Sequence, residues 1–556
     1  MPVTLHTLRV TLRRFALIGT AALGLATAPV AKAAQDIRVR YGPIELTVSI
    51  ASIEAYLQDG TINPDLGAYI DRLTPEQLRN AEQALQLSIE TEQTAIANFL
   101  YTRQGEAILN RVGEVVRTPS NSGFYALRAG LILAAGEDSG LTPLGFLKQF
   151  PTDSLVVDVD RGLRVLREFR QLVGATNNAV NYVTTLSNQS ASSNPVAIAD
   201  LNKPRRRGEY RWQERTFTVT DLPRQRRFPV DLYLPEQPPE RERVPVVVIS
   251  HGLGSNRESF RYFAEHLASQ GYAVVAPDHP GSNDNYIEEL LEGTASQVTP
   301  AREFADRPLD ISAVLNTLEQ QQDAGDLPIS LDLDQVGIMG QSFGGYTALA
   351  LAGAAISFTQ LSADCSDSDV QDTLNLSLLL QCRALELRTD ETETTLSLAD
   401  ERITAAIAIN PIGSSIFGEA GLQQVDLPIL MMSGSNDFVA PTLAEQLIPF
   451  ARLTSEAKYL ALLRNGTHFS VIGDSIATDN VVNLPAEVLG PEPRLAQTYI
   501  EALGFAFFAA HLRNQPDYLP YLSSTYAQTL SREPIPLQLV QSLGGISITA
   551  SSSPRE

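Results

Sequence analysis

The chain is short of several things, and each shortage narrows its class. Beyond the N-terminus no apolar run approaches the 18 residues of a membrane-spanning helix, so no stable span is expected in the rest of the chain. Basic residues are outnumbered: 42 Lys and Arg stand against 64 Asp and Glu, a net charge of −22 over 556 residues. Such an acidic surface repels nucleic acid and anionic headgroups, so neither is an expected partner. There are two cysteines, Cys365 and Cys382, which allow at most one disulfide. Histidine is scarce too. The six are His6, His251, His266, His279, His468 and His511, few enough to weigh one by one as catalytic bases.

What is present is an ordinary globular composition, 44% hydrophobic and 19% charged. The length is too great for one core, so two or more domains are expected. Residues 1–33 read as a signal peptide. Arg9, Arg13 and Arg14 form a basic start, Phe15 to Val30 is apolar and rich in small residues, and Ala31-Lys32-Ala33 places small residues where cleavage after Ala33 requires them. The expected location is periplasmic or secreted. Removing this segment leaves 38 basic residues against 64 acidic ones, a balance of −26. In an oxidising compartment Cys365 and Cys382 form a possible disulfide.

Residues 35–155 predict a mainly helical domain after one initial strand over 35 to about 50. Asn63-Pro64 and Thr74-Pro75 pair a capping residue with a proline at the first helical position, and Thr74 with Gln77 makes a capping box. Helices are expected near 74–88, 91–99, 103–117, 123–136 and 142–149. Residues 156–205 predict a helix over 160–186, carrying Leu163, Val165, Leu166, Phe169, Leu172 and Val173, and then a polar linker at Ser187 to Pro195. From 206 to 535 strands and helices alternate, which argues for a parallel sheet with helices on both faces. Residues 536–556 read as a C-terminal tail.

The chemistry centres on Gly340-Gln341-Ser342-Phe343-Gly344-Gly345. Gly-x-Ser-x-Gly between an apolar strand and a helix is a nucleophile elbow: a sharp turn exposes the serine hydroxyl beside a helix N-terminus. The motif alone recurs by chance; the strand before it and the helix after it give it weight. The serine needs a base later in the chain, and only His468 and His511 lie downstream. His511 sits in an apolar helix. His468 follows the strand Tyr459-Leu-Ala-Leu-Leu463 in a loop, where a base can reach the serine. Asp437, in the loop after Leu430-Met-Met-Ser, is the candidate acid. The backbone N–H groups of Phe343 and Leu253 are the candidate oxyanion donors, Leu253 lying in the glycine-flanked loop His251-Gly-Leu-Gly254. No metal ligand set and no cofactor are expected.

Together with Leu267-Ala-Ser-Gln-Gly-Tyr272, Pro277-Asp-His-Pro-Gly-Ser282 and Arg307-Pro-Leu-Asp310, these motifs resemble platelet-activating-factor acetylhydrolases and dienelactone-hydrolase-like proteins over roughly 210–515. The resemblance implies an α/β-hydrolase fold and calcium-independent cleavage of carboxylic esters. One position departs from it. The acetylhydrolases carry their acid one strand earlier, where this chain has Asn410, whereas Asp437 matches the placement usual in dienelactone hydrolases and bacterial polyesterases. Residues 35–150, with Phe99-Leu-Tyr-Thr and Gly123-Phe-Tyr-Ala-Leu-Arg-Ala, resemble an uncharacterised helical domain that precedes cyanobacterial hydrolases. The insertion 355–402, with both cysteines, is longer than a direct connection requires and is a candidate lid or a surface excursion.

The expected function is thus an exported serine carboxylic-ester hydrolase acting on an ester or lipid-like small molecule. The alternatives are a phospholipid or polyester substrate, or a non-catalytic envelope scaffold.

Overall fold

The computed structural model describes residues 33–89, 91–238, 243–366, 373–473 and 486–544. The expected leader, through residue 32, and the end of the expected tail lie outside the described residues. Internal contacts divide the chain into two compact units, one of residues up to 93 with 112–162, the other of 94–111 with 163 onward.

The smaller unit is mixed α/β. Its sheet runs in the order β2-β1-β4-β3, from β1 (Asp36–Tyr41), β2 (Ile44–Ser49), β3 (Val116–Arg117) and β4 (Ser154–Asp158). The single strand expected over 35–50 is a hairpin, because Gly42 takes a positive φ of 53° and turns the chain back after Tyr41. β4 pairs in parallel with β1 more than a hundred residues away, a partnership no local pattern announces. The helices lie close to expectation. Pro75–Leu85 carries the Thr74–Gln77 capping box, and the apolar Phe124–Ala135 buries Ala126, Leu127, Ala134 and Ala135.

In the larger unit nine strands form one sheet: β5 (Trp212–Asp221), β6 (Arg226–Pro235), β7 (Val244–Ser250), β8 (Ala273–Pro277), β9 (Leu331–Gln341), β12 (Ile403–Ile409), β13 (Ile429–Gly434), β14 (Lys458–Leu463) and β15 (Leu537–Val540), with a two-residue pair, β10 (Ile356–Ser357) and β11 (Thr395–Leu396), inside the insertion. The order is β15-β14-β13-β12-β9-β7-β8-β6-β5. The six strands β14 to β8 are parallel; β15 at one side and β6 at the other pair antiparallel with them, and β5 pairs antiparallel with β6. Both faces are covered. Val246 and Val248 of β7 enter the core on one side, and Val247 and Ile249 enter the core on the other. This two-sided burial is why the central strands read as continuous apolar runs.

Two boundaries need correction. The polar stretch from Ser187 is not a linker, since the helix runs unbroken over Val159–Ser193. Its serines stay helical by returning hydroxyls to carbonyls one turn back (Ser192 to Asn188, Ser193 to Gln189), and Ser187 is buried, where its Oγ accepts the Leu539 N–H at 3.1 Å. The tail assigned from 536 begins with β15, an edge strand four residues long. Its outward backbone groups are covered by side chains: Ser531 Oγ accepts from Leu537 N–H, and Ser524 Oγ donates to Leu539 O. The insertion, for its part, packs inward. Ile356, Phe358, Leu361 and Ala384 join the core on the elbow helix's side of the sheet, and Cys365 and Cys382 are joined in a disulfide.

Candidate active site

β9 ends at Gln341, and the helix Phe343–Leu351 starts one residue later. The residue between them, Ser342, has φ 57° and ψ −116°, a strained conformation for a residue with a Cβ. Its N–H donates to Ile409 O at 2.9 Å, which pins the turn to β12. Glycine is required on both sides. A Cβ at Gly340 would sit 2.0 Å from Gly344 O, and one at Gly344 would sit 2.0 Å from Ser250 O.

Three loops at the carboxyl ends of β9, β13 and β14 bring the predicted residues together. The Ser342 hydroxyl donates to His468 Nε2 at 2.8 Å. His468 Nδ1–H donates to Asp437 Oδ2 at 2.6 Å. The other carboxylate oxygen of Asp437 accepts the N–H groups of Val439 (2.9 Å) and Ala440 (2.8 Å), which fix its direction. All three residues are buried, with Ser342 the most accessible at 8%. His511 is elsewhere, its Nε2 against the Tyr459 hydroxyl.

The residues that hold this line in place were not found from sequence. Gln341 Nε2 donates to His468 O at 3.0 Å, and Asn410 Nδ2 donates to the carbonyls of Thr467 (3.3 Å) and His468 (3.2 Å). Asn410 Oδ1 accepts the Gly434 N–H at 2.8 Å, so one amide ties the acid strand to the base loop. Gln341 is the unspecified residue of Gly-x-Ser, and its Oε1 would stand 2.5 Å from a Cβ at Gly252, so a side chain there would push the Gln341 amide aside.

The loop carrying Leu253 rests on a second polar cluster. The amides of Gly254 and Ser255 are committed to Ser282 O and Gly252 O. The Phe343 amide is in the first turn of its helix, where N–H groups have no acceptor within the helix. Arg307, fully buried, links the two sides. It donates to His251 O, to Ser250 Oγ at 3.2 Å, to Ser282 Oγ at 2.8 Å and to Thr347 Oγ1 at 3.2 Å, and its guanidinium lies 4.6 Å from the centre of the Phe343 ring. Burial, only partly offset by Glu303 and Asp310, lowers its pKa to about 9. His251 Nε2 accepts the His279 N–H, and His251 Nδ1–H donates to Gly252 O. His279 sits between Ser250 Oγ and Asp310 Oδ2, both at 3.0 Å. Burial, with Arg307 nearby, holds both rings far below the usual histidine range, so they are neutral. Among the described residues no group of three or more His, Cys, Asp or Glu is arranged to hold a metal ion, and no helix is long and apolar enough to cross a membrane.

Comparison with known proteins agrees with this fold. Residues 245–360, which span the Leu253 loop, the elbow and its helix, match the family described as alpha/beta hydrolase fold. The chain carries an α/β hydrolase fold. Residues 33–158 match a second family, described as alpha/beta hydrolase of unknown function (DUF1400). Two platelet-activating factor acetylhydrolases, from Canis lupus familiaris and Bos taurus, are each 26% identical to it over 140 residues, which cover 19% of this chain and 32% of theirs. The chain thus spans about a third of the length of these curated relatives.

Proposed function

We propose that this α/β hydrolase is an exported serine hydrolase of carboxylic esters. The observation that carries the proposal is the unbroken hydrogen-bonded line from Ser342 Oγ through His468 to Asp437. In this reading Ser342 Oγ attacks the ester carbonyl while His468 Nε2 takes its proton. Asp437 keeps the ring in the tautomer with hydrogen on Nδ1 and stabilises the imidazolium. The backbone N–H groups of Leu253 and Phe343 receive the oxyanion, held at a fixed separation by Arg307. His468 then protonates the departing alkoxide, and an acyl group remains on Ser342. Water, deprotonated by His468, releases the carboxylic acid and restores the serine.

The similarity to proteins named platelet-activating factor acetylhydrolase supports ester cleavage as the reaction. In this reading Asn410 is a positioning residue, its amide on backbone carbonyls, and Asp437 is the carboxylate that faces His468. Export is part of the reading, supported by the basic and apolar N-terminal pattern and by the disulfide, a bond that persists in oxidising compartments. A fluorophosphonate probe tests the chemistry. Covalent labelling of folded protein at Ser342, lost in Ser342→Ala, is expected; an unlabelled native protein would overturn the proposal. A series of p-nitrophenyl esters of rising acyl length then assigns the substrate, since activity confined to short chains removes long-chain lipids.

A further inference from the structure

The 35-residue helix Val159–Ser193 has one apolar stripe and two fates along it. Leu163, Leu166, Phe169, Val173, Val180, Val183, Ser187 and Ala191 follow helical spacing on one side. In the second half, Val180, Val183, Ser187 and Ala191 are buried. In the first half the same side is bare: Phe169 is 50% exposed, and Leu163, Leu166 and Val173 are 38–39% exposed.

Beside the bare stripe run Arg164, Arg167 and Arg170, all exposed and three residues apart. Nearby carboxylates are already engaged. Asp158 pairs with Arg161, Asp160 accepts the Gly42 N–H, and Glu168 pairs with Arg111. Among the described residues none of the three arginines pairs with a carboxylate. A chain of net charge −22 therefore presents here an exposed apolar ridge flanked by positive charge that no carboxylate pairs among the described residues.

We propose that residues 163–173 form an interfacial anchor for an anionic lipid surface. The chemistry matches on both counts. Leucine, valine and phenylalanine side chains enter the boundary between headgroups and acyl chains, and arginines alongside bind phosphate oxygens while their stems lie along the apolar layer. A second copy of the helix fits poorly, because packing ridge on ridge brings two arginine rows together. The net acidity of the rest of the chain opposes anionic surfaces at long range, so attachment depends on this patch and weakens with salt.

Vesicle flotation of the whole protein tests the proposal, with phosphatidylcholine vesicles made with and without phosphatidylglycerol. Binding is expected only with the anionic lipid. Each surface arginine contributes roughly fivefold, so Arg164→Gln/Arg167→Gln/Arg170→Gln should lower binding on the order of a hundredfold. Leu166→Ser/Phe169→Ser should abolish it at moderate salt. Near-UV circular dichroism matching the parent protein shows that these surface variants are folded. Equal binding to both vesicles, or full binding by the serine variant, overturns the proposal. So does concentration-dependent self-association, measured by sedimentation, that Phe169→Ser removes: that result assigns the stripe to a second copy. The proposal is independent of ester hydrolysis and stands or falls separately from it.

Discussion

Two polar clusters lie near Ser342, and in the proposed mechanism the one with more ionisable groups transfers no proton. Behind the Leu253 loop, Arg224, Arg226, Arg307, Glu303, Asp306, Asp310, His251 and His279 share a dense set of hydrogen bonds and ion pairs. Each histidine there has both ring nitrogens held by fixed protein groups, and burial keeps both rings neutral. The line through His468 is simpler: one carboxylate, one ring, one hydroxyl. Its ring nitrogen ends on an alcohol, and in the proposed reaction the ring takes that proton as the alcohol oxygen forms a new bond. On the proposed mechanism, what separates machinery from scaffold is not how many titratable groups are present but whether a proton can depart along the last hydrogen bond.

The strongest test of that comparison removes the end of the line. Ser342→Ala should lower kcat on the order of 10⁶-fold while leaving thermal unfolding nearly unchanged, because the side chain is small and its partner is one ring nitrogen. Asp437→Asn should cost about 10⁴-fold through the wrong tautomer of His468. Adding Asn410→Asp to that variant should not restore activity. A carboxylate at 410 would face the carbonyl oxygens of Thr467 and His468, which the amide now satisfies. Recovery of ester hydrolysis in the double variant would show that the acid can move between strands, and the contrast with the acetylhydrolase pattern would lose its meaning.

How much of this was legible in the sequence follows the same divide. Val244–Ser250, Ile403–Ile409 and Lys458–Leu463 carry continuous apolar runs because the sheet is buried on both faces. Ser342, Asp437 and His468 are announced by an elbow, a chain order and an elimination among few histidines, and the fold brings all three within hydrogen-bonding reach. Arg307 is different. Its partners sit at 250, 251, 282 and 347, and no spacing in the chain predicts that four distant acceptors converge on one guanidinium. β4 and β15 were missed for a related reason, since short strands are defined by partners far away in sequence. Ser187 was misread because small polar residues signal loops in general, and only the packed strand beside it shows why the helix continues.

Arg307 gives the next largest expected effect. Arg307→Lys keeps the charge but loses the planar fork that reaches several acceptors at once. The His251 carbonyl and the Phe343 ring then lose their common tie. A fall in kcat of about 10²-fold, comparable to removing one oxyanion donor, is expected with KM little altered. Ser282→Ala, which removes an acceptor from Arg307 Nη1 and the donor to Glu303 Oε2, should cost less than Arg307→Lys, about tenfold, because the guanidinium keeps its other acceptors. If Arg307→Lys raised KM and left kcat intact, the cluster would serve substrate binding and not the oxyanion loop.

The smallest effect tests whether locked histidines are truly withdrawn from titration, and His266 is the simplest of them. It is buried, its Nε2–H donates to Pro204 O at 3.0 Å, and burial lowers its pKa to about 4. The unfolded chain takes up a proton near pH 6.5 that the folded chain refuses until about pH 4. The stability tied to this ring is therefore present above pH 6.5 and lost as pH falls, at up to about 1.4 kcal/mol per unit. Other groups blur the raw profile. His251 and His279 add to the loss, whereas Glu501, raised to about 7 by burial, works in the opposite direction and gains stability as pH falls. A difference measurement isolates one ring. His266→Gln retains a donor for Pro204 O and cannot take up the proton, so urea unfolding should show the parent losing ground to the variant by about 1.4 kcal/mol for each unit below pH 6.5. Parallel profiles from pH 7 to pH 5 would mean that the folded protein protonates His266 freely, and burial alone would no longer explain which histidines this fold excludes from chemistry.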